Sequence, residues 1–102
     1  MVASFSIVPI GVGEELRDYL APILETIDSS GLPYKLGAMQ TTVEGDWDQV
    51  MNLISRCHRQ MLEVAPRVLT HIAIDDRRGA QGRLEGKVHD VEQALGQELS
   101  HE

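Results

Sequence analysis

The sequence predicts an α+β fold in which a four-stranded antiparallel sheet carries two helices on one face and an extra C-terminal helix follows. The first observation behind this prediction is the order of hydrophobic periods: strand, helix, strand, strand, helix, strand, helix. The second is length, because 102 residues fit one domain with one core. The third is composition, since 42% apolar and 25% charged residues are typical of a globular protein. We therefore expect a single domain over 1-102.

The first strand and first helix occupy residues 3 to 29. "ASFSIVPI" alternates, with Phe5 and Ile7 on one face, and Pro9 indicates an edge position or a strand end. Pro22 lies inside the helix that follows, so we expect a bend or break near residues 18 to 22. Gly31 is a candidate left-handed residue at the helix end. The helical period is carried by Leu16, Leu20, Ile23, Leu24 and Ile27.

"YKLGAM" and "TTVEG" predict two short strands joined by a tight connection. Asp46 and Gln49 then have the spacing of a capping box, which predicts the start of the second helix, and Pro66 ends it. One stripe of that helix is formed by Val50, Met51, Ile54, His58 and Met61.

"RVLTHIAID", residues 67 to 75, predicts the fourth strand. Both of its alternating sets are largely apolar, which indicates a strand covered on both faces near the middle of the sheet. Residues 79-102 are expected to form a linker, a third helix and a tail. The apolar positions of this helix are Leu84, Val88, Val91 and Leu95.

Two strand-helix-strand halves in tandem make the ferredoxin-like βαββαβ arrangement, which leaves one sheet face without helices. Leu69 and Ala73 would lie on alternate positions of the fourth strand, where a solvated face would be polar. We therefore expect a second subunit to cover that face.

Charge and cysteine content exclude several classes of function. A net charge of -7 disfavours nucleic acid and makes small cations more plausible partners, although many soluble proteins are acidic for solubility alone. No apolar run is long enough to span a membrane, and the N-terminus lacks a signal-peptide pattern. The single cysteine, Cys57, indicates a reducing compartment, and we expect a cytoplasmic protein.

The most specific pattern is Ser-Gly-x-x-Tyr followed by Met-x-Thr-x-Val-Glu-Gly. With its flanking phrases "RVLTHIAIDDRRG" and "LEGKVHDVEQAL", it resembles the small thiamine-binding protein family over nearly the whole chain. This resemblance implies ferredoxin-like subunits in dimers or tetramers that bind thiamine or its hydroxymethylpyrimidine part, without established catalysis. Gln40, Pro66 and Pro22 depart from the usual family pattern. The pattern fits at Ser30, Gly31, Tyr34, Met39, Thr41, Val43, Glu44 and Gly45.

A thiamine pocket needs polar groups for the aminopyrimidine edge and flat or sulfur-bearing surfaces for the rings. The residues alone favour a structural explanation of Glu44, as a strand-end carboxylate near a helix N-terminus, and of Trp47, as a hydrophobic anchor. The resemblance reverses that preference for Glu44. The predicted ligand-binding residues are Glu44, Thr41, Thr42, Tyr34, Met39, Ser6 and Trp47.

We expect a non-catalytic binding protein with no catalytic residues, no metal site and no cofactor. No phosphate-binding loop, dinucleotide fingerprint or nucleophile constellation is present in the sequence, which favours thiamine over its diphosphate. Two alternatives remain open: a small ferredoxin-like oligomeric enzyme acting on an unrelated metabolite, and a structural interaction module.

Overall fold

The computed structural model describes residues 1 to 79, which form the predicted βαββαβ order. The expected C-terminal helix and almost all of the 79-102 segment lie outside the described residues. The elements are β1 (Val2–Ile10), α1 (Arg17–Ser29), β2 (Tyr34–Leu36), β3 (Thr41–Glu44), α2 (Trp47–Leu62) and β4 (Arg67–Asp75).

The sheet is antiparallel, with the strand order β2-β3-β1-β4. β4 pairs with β1 along all nine residues, from Val2↔Asp75 to Ile10↔Arg67. β3 pairs with β1 along only four residues and stops at Phe5↔Thr41. Among the described residues, β1 beyond Phe5 therefore has no neighbouring strand on its β3 side. Pro9 lies in this singly paired part, which agrees with the prediction that it occupies a strand edge or a strand end.

The core lies between the sheet and the two helices. Ala3, Phe5 and Ile7 alternate inward on β1, as predicted for Phe5 and Ile7, and Val43 of β3 lies beside Ala3. Each large side chain removed from water contributes about 1.5–3 kcal/mol to folding. The helices contribute Ile23, Ile27, Val50, Leu53, Ile54, Cys57 and Met61.

The other face of the sheet, here called the open face, carries the alternate residues. Because paired residues in a sheet share a face, each residue's partner on the neighbouring strand identifies its side. The open face comprises Ser4, Ser6, Val8, Thr42, Glu44, Leu69, His71 and Ala73, among others.

Two predicted helix boundaries are confirmed. The side chain of Asp46 accepts a hydrogen bond from the Gln49 backbone N–H at 2.8 Å, and the Gln49 side chain accepts one from the Asp46 N–H at 3.1 Å. This is the predicted capping box. Gly31 follows α1 with φ of +78°, the left-handed conformation expected after a helix end.

Of the bend or break predicted near residues 18 to 22, the break is wrong, because the helix runs unbroken from Arg17 to Ser29. Pro22 lies in the second turn and removes one hydrogen bond, the one its N–H would donate to the carbonyl of Asp18. The buried side chains of Ile23 and Ile27 anchor the helix directly after this point. We attribute the continuity of the helix to their burial.

The predicted central position of β4 is also wrong, because β4 is an edge strand and β1 occupies the middle of the sheet. Apolar residues on both faces of β4 stay partly exposed within the described structure: Leu69 at 42%, Ile72 at 42% and Ile74 at 40%. Apolar character on both faces does not distinguish a central strand from an edge strand that forms an interface.

Candidate ligand-binding groove

A groove of about 300 Å³ lies between α1, the singly paired part of β1 and the loop that joins β2 to β3. We call it the hairpin groove. Its α1 wall is apolar and is formed by Leu16, Leu20, Ile23, Leu24 and Ile27.

The β1 wall of the hairpin groove is a strand edge. Consecutive residues from Phe5 to Pro9 line the groove, although neighbouring side chains on a strand point to opposite faces. Consecutive residues can line one groove only where the edge of their strand meets it. The backbone N–H and C=O groups that would pair with a longer β3 are therefore available to a ligand.

The third wall is the loop from Gly37 to Gln40. The Gly37 N–H donates to the Gln40 carbonyl at 2.9 Å, which closes the loop. A Cβ atom on Gly37 would lie 2.9 Å from that same oxygen, so the loop geometry requires glycine at this position. Met39, at 86% exposure, lies at the tip of this wall.

Three of the predicted ligand-binding residues meet at the hairpin groove: Ser6, Met39 and Thr41. Thr41 ends the β3 ladder opposite Phe5 and lies on the helix-side face of the sheet. Ser6 follows Phe5 on β1, where the ladder with β3 has ended. The structure thus brings together residues from β1, β3 and the connecting loop.

Thr42 and Glu44 lie on the open face and do not line the hairpin groove. The hydroxyl oxygens of Thr42 and Ser4 are hydrogen-bonded at 3.2 Å across the β1–β3 ladder. Glu44 is half-buried opposite Val2, and its backbone N–H donates to the Pro33 carbonyl at 3.0 Å.

Tyr34 and Trp47 also lie away from the hairpin groove. The Tyr34 hydroxyl donates to the Asp28 carboxylate at 2.8 Å, which ties β2 to the end of α1 and raises the pKa of the phenol. Trp47 is the first residue of α2 and is 54% exposed.

Sequence reasoning missed the strand edge and the apolar wall as parts of the site. A signal for the wall was present, because five apolar residues recur at helical spacing from Leu16, the N-cap of α1, to Ile27, but only Ile23 and Ile27 are buried. Leu24 stays 39% exposed, which fits a groove-lining role. The strand edge left no such signal, since it arises where β3 stops.

Two other reactive side chains, Cys57 and His58, have structural roles in packing and hydrogen bonding. Burial raises the pKa of the Cys57 thiol to about 11, so at neutral pH it is a protonated core residue. His58 shares a hydrogen bond of 2.7 Å with the Thr70 hydroxyl, which joins α2 to β4.

Within residues 1 to 79, no group of three or more acidic, histidine or cysteine side chains could hold a metal ion. No helix in that same range is long and apolar enough to cross a membrane.

Comparison with known proteins identifies the family. A family model described as "Thiamine-binding protein" matches residues 3–92. The chain belongs to this thiamine-binding protein family. A UPF0045 protein of Mycobacterium bovis is 35% identical to the chain over 96 residues, which cover 93% of this chain and 94% of the relative.

Solved structures of family relatives share the fold. A hypothetical protein of Methanocaldococcus jannaschii superposes with a TM-score of 0.79 at 29% identity, covering 93% of this chain and 94% of the other. A protein of Thermotoga maritima, assigned provisionally to thiamine biosynthesis or salvage, gives 0.77 at 28% identity, covering 88% and 96%. These superpositions agree with the ferredoxin-like arrangement.

Proposed function

We propose that this member of the thiamine-binding protein family is a non-catalytic binder of thiamine or its hydroxymethylpyrimidine moiety, and that the ligand binds in the hairpin groove. The observation that carries the proposal is the pairing of an apolar helix wall with a strand edge across a groove of about 300 Å³. This volume lies at the lower end of the range for small-molecule sites. The family description and the provisional assignment of the Thermotoga maritima protein support it.

The ligand chemistry fits the two walls. An aminopyrimidine is flat and carries an amino donor beside a ring-nitrogen acceptor on one edge. A free strand edge presents backbone donors and acceptors that can pair with such an edge, as they would pair with a neighbouring strand. The apolar side chains of α1 would cover the faces of the ring, and burial of those faces supplies the non-directional part of the affinity.

The predicted residues then take different roles. Thr41 is placed to supply a hydroxyl group on the helix side of the strand edge, and Met39 to place its thioether over a ring at the groove mouth. The Ser6 hydroxyl lies on the open face, so we propose that it contacts only the part of a ligand that extends past the strand edge. The hydrogen bond between Tyr34 and Asp28 would hold the hairpin against α1 and thereby fix the loop wall.

Glu44 and Trp47 require a different arrangement to contact a ligand. Because Glu44 lies on the open face, we propose that it reaches a ligand only through a second subunit packed there, whereas the Thr42 hydroxyl stays bonded to Ser4 and contacts no ligand. Trp47 is too exposed for a hydrophobic anchor, whose side chain would be buried. We propose that Trp47 also contacts the second subunit.

A homo-oligomer is part of the proposal. The open face exposes Leu69, and β4 is an edge strand of the sheet. A long apolar edge strand promotes association unless it is covered. Light scattering should give a dimer or larger species, and Leu69→Asp should shift it toward the monomer. A monomeric unaltered protein would contradict the oligomer but leave the groove untouched.

The cellular setting proposed here is the cytoplasm. A buried lone thiol whose pKa is raised to about 11 forms no internal disulfide and is compatible with a reducing compartment.

Two adjacent threonines provide a matched test of the ligand site. Thr41 lines the hairpin groove, whereas Thr42 faces the opposite side of the same strand. Isothermal titration with thiamine should show saturable binding that Thr41→Val weakens about 3- to 10-fold, the effect of losing one neutral hydrogen bond. Thr42→Val should bind like the unaltered protein if the groove is complete within one subunit.

The outcomes separate the site from the ligand. Absence of saturable binding by both thiamine and hydroxymethylpyrimidine would reject the proposed ligand class. Equal weakening in Thr41→Val and Thr42→Val would reject the hairpin groove as the site. Glu44→Gln extends the test to the open face, because weaker binding in this variant would require the contribution of a second subunit.

A further inference from the structure

A second concavity, of about 440 Å³, lies between the first turns of α1 and the C-terminal end of α2. We call it the helix groove. It shares only Ile23 with the hairpin groove and is therefore a separate site. Its lining comprises Asp18, Tyr19, Pro22, Ile23, Gln60, Met61, Glu63 and Val64.

The helix groove combines an apolar floor with an acidic rim. Ile23 and Met61 are buried at its base, and Val64 is exposed at its side. The rim carries the carboxylates of Asp18 and Glu63, whereas no lysine, arginine or histidine lines the groove. Within residues 1 to 79, neither carboxylate has a hydrogen-bond or ion-pair partner. The negative charge at the rim is thus not neutralised inside the described structure.

The backbone adds further negative potential to the helix groove. Glu63 is the C-cap of α2, the end where the carbonyl groups of a helix carry a partial negative charge. On the opposite wall, Pro22 has no N–H, so the Asp18 carbonyl lacks the donor that a helix ordinarily supplies four residues later. The first turn of α1, on that same wall, carries the positive partial charge of a helix N-terminus, so the preference for a cation rests on the two rim carboxylates together with the α2 end.

The two walls are tied together beside the groove. The Thr26 hydroxyl of α1 donates to the side-chain oxygen of Gln60 on α2 at 2.7 Å. This contact fixes the separation of the helices next to the groove, so the cavity belongs to the folded state and needs no ligand to open it. Tyr19 is half-buried and adds an aromatic ring to one wall.

From these features we propose that the helix groove binds a small organic cation, an alkylammonium or quaternary ammonium group with a short apolar substituent. The carboxylates and helix end attract the charge, and an aromatic ring and apolar floor accept the alkyl groups. A bare metal ion fits less well, because the groove has two carboxylates and an apolar base where a metal needs several oxygen ligands.

Choline is a suitable probe, because its uncharged isostere, with a tert-butyl group in place of the trimethylammonium group, has nearly the same shape. In NMR titrations of the full chain, choline should shift the amide signals of Tyr19, Met61 and Val64 and should bind about tenfold more tightly than the isostere. Equal affinity for choline and the isostere, or shifts confined to other surfaces, would overturn the proposal.

Variants identify the source of the selectivity. The double variant Asp18→Asn/Glu63→Gln should abolish the preference for choline over its isostere. Glu15→Gln/Glu25→Gln makes the same change in net charge at two exposed residues outside both grooves and should retain the preference. Loss of the preference in both double variants would show an effect of net charge alone and would reject the helix groove.

Thiamine is itself an organic cation, so the same variants separate this proposal from the proposed function. Thiamine binding that is weakened by Thr41→Val and unchanged in Asp18→Asn/Glu63→Gln would place the vitamin in the hairpin groove and leave choline binding as a separate property. The reverse pattern would support the helix groove and reject the hairpin groove as the thiamine site.

Discussion

Replacing Gly37 by alanine tests the loop wall of the hairpin groove with little effect on the core. The new Cβ atom would lie 2.9 Å from the Gln40 carbonyl oxygen, about 0.5 Å closer than an ordinary van der Waals contact. The obstructing atom belongs to the backbone, so a side-chain rotation cannot relieve the contact and the loop itself must move.

The size of the effect follows from the position of the loop. Residues 37 to 40 are all exposed and none belongs to the core, so we expect Gly37→Ala to lower the free energy of unfolding by less than about 1 kcal/mol. The same residues line the groove, and a shifted wall that loses one hydrogen bond to the ligand should weaken thiamine binding about 3- to 10-fold.

Gly31 provides the matched control. Its φ of +78° makes alanine unfavourable by about 1–2 kcal/mol, although no atom lies within 4 Å of the added Cβ. Gly31→Ala should therefore lower the melting temperature by about 4–16 °C while leaving thiamine affinity unchanged. Circular dichroism and isothermal titration measure the two properties separately. Full thiamine affinity in Gly37→Ala would refute the loop as a wall of the site.

Three further predictions concern stability and ionisation. Asp46→Ala removes the capping box and should cost about 1 kcal/mol, a fall in melting temperature of about 4–8 °C; an unchanged melting curve would contradict the role of this cap. Cys57, with its pKa raised to about 11, should react with a disulfide reagent only as fast as the protein unfolds, and rapid labelling in native buffer would disprove its burial. The bond to Asp28 raises the pKa of the Tyr34 phenol, so it stabilises the fold below the unfolded pKa of 10.0 and this contribution is lost as pH rises through the folded value. Phenolate absorbance should show Tyr34 titrating at lower pH in Asp28→Ala, and an unchanged titration would argue against the bond.

The features predicted from the sequence are those that depend on local chemistry. The capping box depends only on Asp46 and Gln49, which are three positions apart. The left-handed conformation of Gly31 is predicted because this glycine comes directly after the end of a helical period. The βαββαβ order follows from a change of period along the chain. Each of these features leaves a pattern within a few neighbouring residues.

The features that were not predicted depend on how far strands pair. The position of β4 at the edge depends on β1 pairing on both sides, and the pattern of "RVLTHIAID" is compatible with either position. The hairpin groove exists because β3 ends opposite Phe5 while β1 continues to Ile10. Ladder length is a property of two segments together, so neither segment shows it alone.

The division of the predicted site has the same cause. Thr41 and Thr42 are neighbours in the chain and the family pattern predicts one role for both, but strand alternation places them on opposite faces. A family pattern identifies the residues that occur together in the sequence. It does not show which of them share a face of the sheet.

The unequal ladders on the two sides of β1 also affect how the molecule opens. Four residue pairs hold the hairpin to β1, whereas nine hold β4. Transient opening favours the less strongly held segment, so the β3 amides bonded to β1 should exchange with deuterium before the β4 amides bonded to β1. A ligand bridging the loop and the β1 edge would protect the hairpin, which would make deuterium uptake at β3 a direct measure of occupancy.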